Sequence, residues 1–82
     1  MKILITGGHG FIGSNFIIKA LSANFDVLNL DKNSTDTFLK NNNIEHYENA
    51  YKFIEADILD KKYIYEIVDS FKPNFIVHFA AE

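Results

Sequence analysis

All four glycines of this 82-residue chain fall within one stretch, ITGGHGFIGS at residues 5–14, as Gly7, Gly8, Gly10 and Gly13. The chain uses glycine nowhere else, so the cluster answers a local backbone demand. Glycine permits positive φ in a tight turn and leaves room where a side chain would block a neighbour or a ligand. Before the cluster, KILIT at residues 2–6 is a short apolar, β-branched run, the pattern of a buried strand in a parallel sheet. After it, from residue 11 to about 23, the apolar period becomes that of a helix. Ile12, Phe16, Ile17, Ala20 and Leu21 fall on one side, with Asn15, Lys19 and Ser22 facing away. A glycine-rich turn placed between a strand and a helix turns the first helical amides, and the helix dipole, toward an anion.

The rest of the chain repeats the alternation. FDVLNLD at residues 25–31 reads as a second strand closed by an acidic residue. Residues 32–50 are dense in asparagine and predict a loop with at most a short helix around residues 35–40. YKFIEAD at residues 51–57 is a third strand. Residues 60–71 form a helix with Asp60 as N-cap and an apolar stripe of Ile64, Ile67, Val68 and Phe71. Pro73 ends that helix, and residues 74–80 make a fourth strand that is apolar on both faces. The expected fold class is α/β: a partial Rossmann-type parallel sheet of about four strands in the order 3-2-1-4, with right-handed crossovers.

Composition narrows the function classes. The chain is 48% apolar and 23% charged with a net charge of −3, which gives no basic footprint for nucleic acid. It contains no cysteine, so disulfides and thiolate catalysis are excluded. No apolar run is long enough to span a bilayer, and the N-terminus lacks the pattern of a signal peptide, so no membrane partner and a cytoplasmic location are expected. A chain of this size buries only about 60–65% of its unfolded surface and is marginally stable alone.

Two glycine spacings are satisfied together. Gly8, Gly10 and Gly13 fit G-x-G-x-x-G, and Gly7, Gly10 and Gly13 fit G-x-x-G-x-x-G. A Walker A loop is excluded because Ser14 follows Gly13 where that motif needs lysine. Asp31 ends the second strand 18 residues beyond Gly13, near the spacing of the carboxylate that accepts ribose hydroxyls in dinucleotide-binding folds. A carboxylate there repels a 2′-phosphate and favours NAD over NADP, with Lys32 offsetting part of that repulsion. The alternative is a purely structural turn beside a solvated aspartate.

With these residues in view, the chain resembles the extended short-chain dehydrogenase/reductases, the NAD-dependent epimerase/dehydratase family. TGGHGFIGS is similar to that family's TGGxGFIGS signature, and LNLDKNS, YENAYKFIEADILD and KPNFIVHFAAE fall where the family has counterparts. The Asp31–Lys32 pair and the run HFAAE at residues 78–82 are most similar to the dTDP-glucose 4,6-dehydratase branch, with the UDP-glucose 4-epimerases ranked second.

The resemblance implies that residues 1–82 are the N-terminal part of an NAD-binding Rossmann domain, without its catalytic and substrate-binding parts. It implies that backbone amides of Phe11 and Ile12 contact the pyrophosphate, with Gly7, Gly10 and Gly13 giving access. It further implies that Asp31 holds the adenosine ribose, with Lys32 and Ser34 nearby. The same resemblance implies that Asp57 and Ile58 meet the adenine edge, and that Phe79, Ala80 and Ala81 line the path to the nicotinamide ribose. One departure is Ala56, where the family usually has glycine before the aspartate.

Other candidates carry less. His9 reads as a solvent-facing spacer in the glycine motif, His78 as a satisfied core histidine, and His46 as a loop residue. No two histidines stand at metal-ligand spacing, so no metal is expected. The family's base is a Tyr-x-x-x-Lys pair, yet none of Tyr47, Tyr51, Tyr63 and Tyr65 has lysine four positions on. No catalytic residue is therefore assigned. Two readings remain. One is an NAD-binding N-terminal piece of a nucleotide-sugar dehydratase, in which the nucleotide sugar engages only the full family fold. The other is a non-catalytic binding remnant that self-associates through its fourth strand.

Overall fold

The computed structural model describes residues 1–8, 10–32 and 38–79. Its elements are β1 (Lys2–Thr6), α1 (Phe11–Ser22), β2 (Asp26–Asp31), the short α2 (Phe38–Asn41), a 3₁₀ turn (Glu45–Tyr47), β3 (Tyr51–Glu55), α3 (Lys61–Phe71) and β4 (Phe75–His78). The four strands form one sheet in the order β3-β2-β1-β4, and every pairing is parallel. This is the expected topology. The third and fourth strands are shorter than expected, and the helix after β2 begins at Phe38.

Alternation along the strands sends side chains to two cores. Ile3, Ile5 and Val27 pack with Ile17, Ala20 and Leu21 of α1, and Phe38 stacks on Tyr51 at 5.2 Å to extend this cluster. On the opposite face Leu4, Leu28 and Leu30 pack with Ile67 of α3 and with Ala56, flanked by Ile64, Val68 and Phe71. The stripe expected on α3 is thus the face it buries. On α1 the stripe holds at Phe16, Ile17, Ala20 and Leu21 but not at Ile12, which is 70% exposed. In that first turn the buried position belongs to Gly13, and Ile12, one residue earlier, is rotated away from the sheet.

Local signals set the helix limits. Asp60 caps α3 by accepting the N–H of Tyr63 at 3.3 Å. At its other end Lys72 takes a left-handed φ of 53°, and Pro73 follows. The central strands β1 and β2 are buried, whereas β4 lies at the sheet edge with Phe75 and Ile76 exposed by 48% and 58%. The apolar character of β4 on both faces is therefore only partly covered. No helix among the described residues is long and apolar enough to cross a membrane.

Candidate functional site

Because all strands run parallel, their carboxyl ends, Thr6, Asp31, Glu55 and His78, share one edge of the sheet. From β1 the chain moves to β2 and β3 on one side, while β4 pairs on the other side of β1. In open α/β sheets, such a switch point leaves a crevice in which ligands bind. The glycine cluster sits at that point.

Three of the glycines are required by the protein's own geometry. Gly7 turns with φ of 73° while its N–H donates to the Leu30 carbonyl at 2.9 Å. A Cβ on Gly8 would land on Asn29 Oδ1 and lie 2.6 Å from Ile17 Cδ1. A Cβ on Gly13 would stand 2.9 Å from both the Gly7 carbonyl oxygen and the Gly8 Cα, so α1 closes against the loop backbone to backbone. Gly10 differs. Its φ of −73° suits any residue, and the nearest atom to an added Cβ is the Gly7 oxygen at 3.9 Å. Nothing in the described chain needs the space at Gly10.

Gly10 is also the N-cap of α1, where no side chain caps the helix and no acidic residue lies in the first turn. The first bond of the helical ladder runs from the Ser14 N–H to the Gly10 carbonyl at 2.8 Å. The amides of Phe11, Ile12 and Gly13 precede that ladder. The Ser14 hydroxyl ties the turn together, donating toward the carbonyls of Gly10 at 2.6 Å and Gly8 at 3.2 Å. Phe11 is 85% exposed at this tip. An uncapped helix end beside a gap fits a phosphate-bearing group by its donor set, since amides and the dipole both favour an anion.

The other expected positions ring the same edge. Asp31 is the half-buried last residue of β2, and its carbonyl accepts the Ala56 N–H at 2.9 Å; Lys32 beside it is exposed. Asp57 follows β3 and is exposed, its Oδ1 accepting the Leu59 N–H at 3.0 Å, with Ile58 half-buried next to it. Phe79 follows β4, donates its N–H to the Thr6 carbonyl at 2.7 Å, and sets its ring 5.6 Å from that of Phe16. The expectations placed on His9, Ser34, Ala80 and Ala81 lie outside the described residues. The methyl group of Ala56 is buried in the second core, among Leu4, Leu28, Leu30 and Ile67.

His78 is exposed rather than a core residue, because β4 is an edge strand; its Nδ1 shares a hydrogen bond with Thr6 Oγ1. His46 sets its ring 4.3 Å from that of Tyr47, tilted by 38°, in the 3₁₀ turn. No cluster of metal-ligating side chains occurs among the described residues.

One residue that sequence reasoning passed over belongs to this site's support. Asn29 lies fully buried in β2 and bonds both Gly8 and the Tyr51 hydroxyl. The signal was present as one amide inside the apolar run VLNL.

A family model described as GDP-mannose 4,6 dehydratase matches residues 4–82. The chain belongs to the NAD-dependent epimerase/dehydratase family. Among the family's members, a probable dTDP-glucose 4,6-dehydratase of Sinorhizobium fredii is 42% identical over 83 residues, covering 100% of this chain and 23% of that protein. The dTDP-glucose 4,6-dehydratase of Bacillus anthracis, solved in complex with NAD, is 32% identical with a TM-score of 0.82, over 100% of this chain and 27% of that one. A UDP-glucose-4-epimerase of Stenotrophomonas maltophila with bound NAD is 28% identical with a TM-score of 0.83, over 100% of this chain and 25% of that one. The chain therefore spans about a quarter of the length of these family members.

Proposed function

We propose that these residues form the dinucleotide-binding N-terminal part of a nucleotide-sugar 4,6-dehydratase of the dTDP-glucose type, and that the dinucleotide is NAD. The observation that carries this reading is the gap at Gly10, where an uncapped helix begins beside space that the described chain does not fill. The pyrophosphate lies over that gap, bound by the backbone amides of Phe11 and Ile12. Gly7 shapes the turn, Gly13 lets α1 close on it, and Gly10 admits the phosphate. Asp31 accepts hydrogen bonds from the adenosine ribose hydroxyls, with Lys32 and Ser34 beside it. Asp57 and Ile58 meet the adenine edge, Ile58 through its amide. Phe79, Ala80 and Ala81 line the way to the nicotinamide ribose.

Bound NAD supplies a hydride acceptor that later returns the hydride. The residues here bind and orient; none supplies the base, since no tyrosine in the 82 residues has a lysine four positions on. Proton transfer and recognition of the nucleotide sugar are assigned to the length of the family members that this chain does not match. Similarity to a UDP-glucose-4-epimerase supports an epimerase as the runner-up, with the same dinucleotide contacts. The exposed Phe75 and Ile76 on the edge strand favour a further reading, a non-catalytic dinucleotide-binding remnant that self-associates.

Calorimetric titration of the purified protein tests the cofactor. NAD is expected to bind one to one, ADP-ribose comparably, and NADP more weakly. Tighter binding of NADP, or no heat with any of the three, overturns the reading.

A further inference from the structure

We infer that Asn29, deep in β2, positions the glycine loop for the dinucleotide; the inference rests on the reading above. The Asn29 side chain has 0% exposure in a strand whose other buried residues are Val27, Leu28 and Leu30. A buried amide is tolerated only where its hydrogen-bonding groups are satisfied. Here Oδ1 accepts the Gly8 N–H at 3.1 Å, and Nδ2 donates to the Tyr51 hydroxyl at 3.2 Å. A polar connection thus runs from β3 through β2 to the loop.

The placement explains why a side chain is used. The β1–β2 ladder continues one step past β1, with the Gly7 N–H donating to the Leu30 carbonyl. Gly7 then turns with positive φ, and the next N–H, that of the buried Gly8, is carried out of reach of the strand's backbone. Asn29 supplies the missing acceptor from its side chain. The fit is close on both sides, since a Cβ on Gly8 would land on that same Oδ1. Gly8 is glycine because of Asn29 and Ile17, whereas Gly10, two residues on, opens toward the ligand. Holding Gly8 fixes the start of the segment that ends in the Phe11 and Ile12 amides. Asn29 touches no ligand; it acts through Gly8.

The test compares Asn29→Leu, which replaces the amide by an apolar side chain of the same branching, with Leu21→Ala, which opens a cavity in the same core away from the loop. Both variants are titrated with NAD at a temperature where each is folded, and the amide resonances of Gly7, Gly8 and Gly10 are followed by NMR. Asn29→Leu is expected to weaken NAD about tenfold or more, the loss of one well-made hydrogen bond to a buried amide, and to shift or split the loop resonances. Leu21→Ala is expected to bind within about twofold, because a cavity distant from the loop acts on stability rather than on loop geometry.

If Asn29→Leu does not fold, Tyr51→Phe removes the far bond from Asn29 Nδ2 and is expected to shift the Gly8 amide and weaken NAD about two- to fivefold. Wild-type affinity and unmoved loop resonances in the folded Asn29 variant, or in the Tyr51 variant in its place, overturn the inference, as does an equal loss of affinity in Leu21→Ala. If the parent protein fails to bind NAD, the functional reading falls, and the loop resonances of the Asn29 variant still decide the positioning role.

Discussion

A Cβ on Gly13 would stand 2.9 Å from the carbonyl oxygen of Gly7, whereas one on Gly10 would clear the same oxygen at 3.9 Å. The two glycines of one motif therefore serve different ends, and exchange for alanine separates them. Gly13→Ala forces α1 away from the loop and is expected to cost about 1–3 kcal/mol of stability, the range for overpacking a tight contact. Gly10→Ala is expected to leave stability within about 1 kcal/mol, since a poorer N-cap is offset by a less flexible unfolded chain. It should nonetheless weaken NAD, because its methyl group enters the gap. Urea denaturation of both variants beside NAD titration of Gly10→Ala checks the split. A strongly destabilised Gly10→Ala with unchanged affinity would remove the argument for a ligand at the gap.

How much of this was legible in advance depended on the range of the interactions. The strand before the glycines and the helix after them were readable because their periodicities are local, and the order 3-2-1-4 followed from the alternation of elements together with the topology that the glycine motif implies. The glycine turn that aims the first helical amides at an anion was readable for the same reason. Ile12 was misplaced because a helical wheel treats all turns alike, whereas the first turn of α1 approaches the loop so closely that only Gly13 fits inside. His78 was placed in the core because its neighbours are apolar, although the expected order 3-2-1-4 already put its strand at the sheet edge, where one flank stays open. Asn29 was passed over because its partners, Gly8 and Tyr51, lie 21 and 22 residues away on other elements.

Asp31 is expected to set the choice of dinucleotide. It closes β2 beside the glycine turn, and its carbonyl is fixed by the Ala56 N–H at 2.9 Å, so its backbone is held in place. Removing the carboxylate in Asp31→Ala takes away hydrogen bonds to a charged acceptor, each worth about 1.5–3 kcal/mol, and NAD affinity should fall at least tenfold. Discrimination against NADP should fall with it, because the like charge facing a 2′-phosphate is gone. Competition titrations of the parent and variant with both dinucleotides decide the matter; an unchanged NAD-to-NADP ratio would relieve Asp31 of the role.

Lys72 offers a change in stability away from the site. It ends α3 with φ of 53°, in the left-handed region that costs a residue with a Cβ about 1–2 kcal/mol. Glycine takes that conformation freely, although it loses more entropy on folding. Lys72→Gly is expected to raise stability by about 0.5–1 kcal/mol and to leave NAD affinity unaltered. Thermal denaturation followed by circular dichroism reads the shift. A lower melting temperature would mean that Lys72 contributes contacts outweighing its backbone strain.

The edge strand is expected to set the behaviour of the 82 residues in solution. Phe75 and Ile76 lie on opposite faces of β4, in register with Ile3 and Leu4, and remain 48% and 58% exposed. Among the described residues, β4 pairs only with β1, so its outer row of amides and carbonyls can accept another strand. Covering a few hundred Å² of apolar surface at about 25 cal/mol per Å² contributes several kcal/mol, comparable to the whole stability of so small a unit. Self-association of the purified 82 residues through β4 is the expected outcome, with the sedimentation-equilibrium mass rising with concentration. Lysine at position 76 should restore the monomer, because a charge on an edge strand blocks further pairing. A parent chain that stays monomeric at high micromolar concentration would show that β4 drives no association by itself.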